Sequence, residues 1–155
     1  MASEPAVNVL FLCTGNSARS IMAQAVLAHL AGSRVHAFSA GSHPAGQVHP
    51  MTIEALKRAQ IPLPPGLRSK SWDEFAAPGA PAIDLVVTVC DSAAGEVCPI
   101  WPGHPAKVHW GFEDPVAAQG SEGERLAVFE RVLGEIRTQL ENFVRRGTHD
   151  GRMAV

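Results

Sequence analysis

The sequence has no tyrosine, only three cysteines, little net charge and no long apolar run. No apolar run approaches the ~20 residues that a membrane-spanning helix needs, so we expect no such helix. A net charge of −2 gives no attraction to nucleic acid or to an anionic membrane, and we expect neither as a partner. The odd number of cysteines argues against the disulfide framework of a secreted protein.

The N-terminal residues 1–11 lack the basic start and long apolar stretch of a secretory signal, so we expect a cytoplasmic protein. In that reducing compartment cysteines are inert, metal-bound or catalytic rather than paired for structure. The histidines are scattered, and neither His nor Cys has the spacing of zinc ligands. We therefore expect no zinc site.

Short apolar runs alternate with helical patterns along the chain, which is typical of an α/β fold. We predict strands at 7–13, 35–40, 84–90 and 107–110. We predict helices at 20–30 and 50–59, one helical turn at 72–76, and a long C-terminal helix with apolar residues at steps of three and four. The predicted fold is a single domain over 1–146, an open parallel sheet of about four strands with helices on both faces. Residues 147–155 are predicted to be a flexible tail.

Two of the predicted strands end in a cysteine, Cys13 and Cys90. If these strands are parallel, both thiols lie at the carboxyl edge of the sheet, where open α/β sheets bind their ligands. Neighbouring strands are ~4.8 Å apart, and disulfides need Cα atoms ~4.4–6.8 Å apart, so neighbouring strands bring the thiols close to bonding distance. The alternative, that Cys90 is only a small buried apolar residue, stays open at this point.

The residues after Cys13 favour an anion-binding loop over 13–20. Gly15 permits a sharp bend close to a ligand, and the following N–H groups can converge on an anion at the start of a helix. Arg19 adds a planar guanidinium that binds a tetrahedral oxyanion through two donors. The same positive surroundings favour a thiolate at Cys13. An ordinary strand–turn–helix connection is the less favoured alternative.

The stretch CTGNSARS resembles the C-x5-R-S phosphate loop of the low-molecular-weight protein tyrosine phosphatase superfamily, including its phosphotyrosine protein phosphatase I-like fold. The segments 38–44, 84–99 and 109–115 extend the similarity over residues 7–146, and look most like the thioredoxin-coupled arsenate reductases. The resemblance implies that the whole loop binds the oxyanion: Cys13, Thr14, Gly15, Asn16, Ser17, Ala18, Arg19 and Ser20.

Two features favour the reductase branch. Cys98 follows Cys90 with seven residues between them, and reductases of this branch use such a pair to carry oxidation away from the first cysteine. Tyrosine phosphatases usually follow Asp114-Pro115 with tyrosines, whereas here Val-Ala follows and the chain has no tyrosine. An aromatic-poor mouth suits a small inorganic anion. Ala18 stands where family members often carry a second loop cysteine, so Cys13 needs a partner from outside the loop.

The resemblance implies a mechanism for arsenic detoxification. Cys13 attacks arsenate, which phosphate and sulfate can mimic, while Asp114 acts as general acid and Ser20 hydrogen-bonds the thiolate. Cys90 then attacks Cys13 and releases arsenite, and Cys98 attacks Cys90. Thioredoxin regenerates the thiols in most such enzymes; glutathione with glutaredoxin, or mycothiol, serves in others. We expect a monomer.

In some relatives a loop asparagine and three residues further along the chain hold a potassium ion. The matching residues here are Asn16, Ser39, Ser71 and Asp73. The resemblance therefore implies a candidate potassium site but no tightly bound cofactor. The alternative is that these side chains satisfy backbone groups in turns, as Asn and Ser commonly do.

Two rival functions use the same loop. A phosphatase acting on phosphomonoesters or phosphotyrosine needs Cys13, Arg19 and Asp114 but not Cys98. A non-enzymatic anion or arsenic sensor needs only the loop and leaves the thiol pair without a role.

Overall fold

A computed structural model of the protein describes residues 6–90 and 105–147. Its sheet has four parallel strands in the spatial order β2-β1-β3-β4. The strands are β1 (Val7–Cys13), β2 (Val35–Gly41), β3 (Leu85–Thr88) and β4 (Ala106–His109). The α-helices of the described ranges are α1 (Arg19–Ala31), α2 (Pro50–Arg58) and α3 (Glu122–Gly147). None of these helices combines the length and apolarity needed to cross a bilayer.

The predicted fold class is confirmed, and the elements agree with the predictions to within one or two residues at their ends. The largest difference is β3, which is shorter than the predicted 84–90. Asp84 precedes the strand, and its carboxylate accepts the backbone N–H of Asn8 at 2.8 Å. After Thr88 one further bond, from Val89 N to Leu12 O at 2.9 Å, holds the chain beside β1 before Cys90.

Alternate residues of β1 pack into two apolar clusters on opposite faces of the sheet, as expected for a central parallel strand. Val9 and Phe11 join the first cluster, to which α1, α2 and α3 all contribute. Leu10 and Leu12 join the second, which is closed by a short 3-10 turn, Trp72–Phe75. In the part of the chain that the structure describes, the α-helices thus share one face, whereas the sequence predicted helices on both.

The long apolar stripe of α3 faces the first cluster, as its spacing predicts. Five of its six residues are buried: Phe129, Leu133, Ile136, Leu140 and Phe143. Phe143 also contacts the Trp110 ring edge-to-face, with centroids 5.3 Å apart, and this contact joins α3 to the chain after β4. Helix α3 continues to Gly147, and the rest of the predicted tail lies outside the described residues.

Candidate active site

Cys13 ends β1, and its sulfur is held from inside the anion-binding loop. The side chain is buried, its Sγ accepts the backbone N–H of Asn16 at 3.1 Å, and Ser20 Oγ lies 2.9 Å from it. Asn16 Nδ2 donates to Ser20 Oγ at 2.8 Å. Because the Ser20 oxygen already accepts that hydrogen bond, its own proton is free to point at the sulfur. This is a setting suited to a thiolate nucleophile.

Four carbonyl oxygens of the loop point away from its concave side. Each accepts a backbone N–H from a backing segment, residues 42–49: Cys13 O from Ser42 at 3.3 Å, Thr14 O from His43 at 2.9 Å, Gly15 O from Ala45 at 2.9 Å and Ser17 O from His49 at 3.0 Å. In a trans peptide the C=O and the following N–H point in opposite directions. The N–H groups after these carbonyls therefore face the concave side, where they can bind an anion.

Two side chains add to this support. Ser69 Oγ donates to Gly15 O at 3.2 Å, and Thr52 Oγ1 donates to Ser17 O at 2.9 Å. The first turn of α2 and the segment before the 3-10 turn thus hold the loop from behind. No sequence pattern marked these two residues, because Ser and Thr in such positions are common in turns and helix starts.

The glycine on which the loop geometry depends is Gly41, not Gly15. A Cβ on Gly41 would lie 2.4 Å from Thr14 O, so β2 approaches the loop too closely for any other residue. A Cβ on Gly15 would meet only Ser17 Oγ, at 3.7 Å. The left-handed residue is instead Asn16, with φ 48°, a conformation that asparagine tolerates better than most residues do. Gly15 has no positive φ, and its close approach to a bound anion stays a prediction.

Arg19 lies between the loop and the acid loop, residues 109–115. One guanidinium nitrogen donates to Phe112 O at 3.0 Å, and another lies 3.6 Å from Asp114 Oδ2. The other carboxylate oxygen of Asp114 accepts the N–H of Val116 at 3.0 Å. The Asp114 side chain is 43% exposed, so this carboxylate sits at the mouth of the loop with access to solvent. Val116, where phosphatases place a tyrosine, is itself 40% exposed.

Cys90 reaches the same edge of the sheet as Cys13. Their strands, β1 and β3, are parallel neighbours, with Leu12 beside Thr88. Cys90 is buried, and its Sγ lies 3.6 Å from Thr14 Oγ1. Cys13 and Cys90 are not joined to each other by a disulfide. Cys98 lies outside the described residues, so its position relative to this pair stays a prediction.

The four residues predicted to hold potassium are already engaged in other contacts or exposed. Asn16 Oδ1 accepts the N–H of Lys70 at 2.8 Å, and Ser71 Oγ accepts the N–H of Asp73 at 3.1 Å. Ser39 Oγ donates to Gln24 Oε1 at 2.6 Å. Within the described ranges no three side chains among His, Cys, Asp and Glu gather as a metal site. The potassium site stays a prediction.

His49 supports the loop and begins α2. Its Nδ1 accepts the N–H of Met51 at 3.1 Å, which caps the helix, and its ring packs on Phe129 with centroids 4.9 Å apart. Burial lowers the pKa of His49 below its ordinary value, Arg125 lowers it further, and Asp114 opposes both. The ring is therefore neutral at neutral pH, as an Nδ1 acceptor must be.

The family model for low molecular weight phosphotyrosine protein phosphatase matches residues 8–152, so the chain belongs to that family. The chain is 38% identical over 139 residues to an arsenate reductase of Bacillus subtilis (strain 168), covering 90% of this chain and 96% of that protein.

Two solved structures are similar over most of the chain. One is a thioredoxin-dependent arsenate reductase of Corynebacterium glutamicum, with 28% identity and a TM-score of 0.64. The match covers 93% of this chain but spans only 64% of that one. The other is an arsenate reductase in the phosphate-binding state, with 27% identity, a TM-score of 0.71, and coverage of 90% of this chain and 98% of that one.

Proposed function

We propose that the protein reduces arsenate to arsenite, with Cys13 as the nucleophile. The observation that carries the proposal is a second thiol, Cys90, against the loop that surrounds Cys13, through its contact with Thr14. A phosphatase has no use for that thiol, whereas a thiol-based reduction requires one. The 38% identity to an arsenate reductase over 90% of the chain points the same way.

In the first step the loop N–H groups and Arg19 bind the arsenate oxygens, which compensates their negative charge. Arg19 must then exchange its contact with Phe112 O for one with the anion. The Cys13 thiolate forms a bond to arsenic, and an oxygen leaves as water after receiving a proton from Asp114.

In the second step Cys90 attacks the Cys13 sulfur. An S–S bond forms, the As–S bond breaks, and its electron pair stays on arsenic, which leaves as arsenite. Cys98 then attacks Cys90, which frees Cys13 as a thiolate and leaves a Cys90–Cys98 disulfide. A cytosolic dithiol reduces that disulfide. Thioredoxin is favoured, since one similar structure is named thioredoxin-dependent, and glutathione with glutaredoxin is the alternative.

The test couples the purified protein to thioredoxin, thioredoxin reductase and NADPH, and measures NADPH oxidation on addition of arsenate. We expect turnover in the wild type and a loss of at least ~100-fold in Cys13→Ser, Cys90→Ser and Cys98→Ser, since each removes one obligatory step. After one equivalent of arsenate without reductant, mass spectrometry should find Cys90–Cys98 in the wild type and Cys13–Cys90 in Cys98→Ser. Full turnover by both Cys90→Ser and Cys98→Ser would exclude the relay.

A second candidate function is the hydrolysis of phosphomonoesters. The contact between Arg19 and Asp114 favours it, because an anion clamp beside a general acid also serves phosphoryl transfer. A chromogenic phosphomonoester measures this activity. Hydrolysis as fast in Cys90→Ser and Cys98→Ser as in the wild type, without any arsenate turnover, would assign the protein to this function instead.

A further inference from the structure

Lys70 lies directly behind the anion-binding loop. Its backbone N–H donates to Asn16 Oδ1 at 2.8 Å, and its carbonyl accepts the N–H of Gly41 at 2.9 Å. The residue thus bridges the end of β2 and the left-handed residue of the loop. The sequence drew no attention to it, because a single lysine beside Ser71 resembles any surface lysine.

The ammonium group of Lys70 lies beside Ser39, one of the four residues that the resemblance assigns to the potassium site. Its Nζ donates to Arg68 O at 2.8 Å and lies 3.5 Å from Ser39 Oγ. Ser39 is fully buried, and its hydroxyl donates to Gln24 Oε1. Burial lowers the pKa of Lys70 from 10.5 to about 8, with Arg68 as a further cause and Glu74 opposing, so the amine remains mostly charged at neutral pH.

These residues do not fit a potassium ion as they stand. A cation at the predicted position would meet an ammonium group at Ser39, and like charges repel strongly where water is partly excluded. The oxygens of Asn16 and Ser71 already accept backbone N–H groups. Within the described part of the chain Lys70 makes no ion pair, so its charge is held by neutral oxygens, which are also the ligands a monovalent cation uses.

We propose that the Lys70 ammonium replaces the potassium ion of related proteins, and that it positions the anion-binding loop without any dissolved cation. Lys70 is a positioning residue, since it acts through Asn16. The proposal concerns the same loop as the proposed function, but it rests on anion binding rather than on arsenate reduction.

Three hydrogen bonds join Lys70 to the nucleophile. Lys70 N binds Asn16 Oδ1 at 2.8 Å, Asn16 Nδ2 binds Ser20 Oγ at 2.8 Å, and Ser20 Oγ lies 2.9 Å from Cys13 Sγ. The ammonium group contacts both the carbonyl of Arg68 and the Ser39 hydroxyl on β2. These contacts hold the backbone of Lys70 in place, and with it the N–H group that binds Asn16. Removing it loosens that anchor, and a cation that fills the vacated space restores it.

The test measures the dissociation constant of inorganic phosphate by calorimetry, and Tm alongside it, for the wild type, Lys70→Ala and Lys57→Ala. Each is measured in choline chloride, potassium chloride and ammonium chloride at the same ionic strength. We expect no difference between salts for the wild type or for Lys57→Ala, an exposed lysine on α2. In choline we expect Lys70→Ala to bind phosphate about tenfold more weakly, the size of one lost charged hydrogen bond. Potassium or ammonium should restore most of that affinity and raise Tm.

Three results would overturn the proposal: a wild type whose phosphate affinity or Tm rises with potassium, a Lys70→Ala variant that binds phosphate normally in choline, or a loss that neither cation restores. If Lys70→Ala does not fold in any salt, Lys70→Gln is measured in the same way and judged by the same three results. A protein that binds phosphate but does not reduce arsenate would refute the proposed function and leave this inference intact.

Discussion

At the scale of single residues, the loop depends on the lack of a Cβ atom at Gly41. Gly41 lets the end of β2 lie against the loop backbone, where a Cβ would sit 2.4 Å from Thr14 O and 3.0 Å from Asn16 N. Both neighbours are backbone atoms, so no side-chain rotation relieves the contact. The loop and the strand must separate if any side chain is added.

We therefore expect Gly41→Ala to lower the free energy of unfolding by about 2–3 kcal/mol, a cost typical of overpacking. Phosphate affinity should fall by about tenfold or more, since 1.4 kcal/mol of lost loop positioning has that effect. Urea unfolding and calorimetry measure the two quantities.

Gly134→Ala is the matched control. Gly134 is an exposed glycine in α3, and nothing lies within 4 Å of its added Cβ. This change should stabilise the protein by about 1 kcal/mol through helix propensity and leave phosphate binding unchanged. Phosphate affinity at the wild-type level in Gly41→Ala would show that the loop does not depend on this close approach.

At the scale of elements, the N-cap of α2 is a histidine side chain, which can take up a proton. His49 accepts the N–H of Met51 through Nδ1, and its backbone N–H holds Ser17 O. Protonating the ring fills the lone pair at Nδ1 and removes the cap. Since the folded pKa lies below 6.5, the unfolded chain takes up this proton first as pH falls.

His49 therefore contributes stability above pH 6.5 that is lost as pH falls through its lowered folded pKa. His49→Asn keeps a good capping residue that does not titrate in this range. We expect the wild type to lose about 1 kcal/mol more than His49→Asn between pH 7.5 and pH 5, the usual value of a cap. Urea unfolding at several pH values measures the difference. If the free energy of unfolding changes with pH in the same way for the two proteins, protonation of His49 does not remove the cap.

The elements could be predicted because their signals are local. The strand 7–13 and the stripe of α3 follow from apolar spacing alone, and the positions of Cys13 and Cys90 at one edge follow from two parallel strands. The support of the loop could not be predicted in this way. Lys70, Ser69 and Thr52 contact it from sequence separations of 35 to 54 residues, through groups that most turns contain. The left-handed position at Asn16 could not be predicted either, because glycine is the usual residue for that conformation.

At the scale of the whole molecule, one strand joins the two apolar clusters. Successive residues of β1 alternate between the cluster under α1, α2 and α3 and the cluster under the 3-10 turn. Losing β1 therefore disrupts both. The clusters are separate in space but should not unfold separately.

We expect Leu140→Ala, in the first cluster, and Leu12→Ala, in the second, each to lower the free energy of unfolding by about 2–5 kcal/mol. Each should still unfold in a single transition, with circular dichroism and tryptophan fluorescence coinciding. Tryptophan fluorescence reports on both clusters, because Trp72 lies in the second cluster and Trp110 packs beside the first. Circular dichroism reports on the secondary structure of the whole protein. Two separated transitions in either variant would show that the clusters are independent.

Six hydrogen-bond donors from outside the loop bind its carbonyl oxygens. The loop sequence therefore cannot be expected to keep its structure when it is moved alone into another protein. A protein engineer who moved CTGNSARS to another strand–helix junction would carry over the thiol and the arginine but none of those donors. The transplanted carbonyls would be free to turn inward and meet an anion with their oxygens. The smallest transferable unit is therefore the octapeptide with the backing segment, Gly41, Thr52, Ser69 and Lys70.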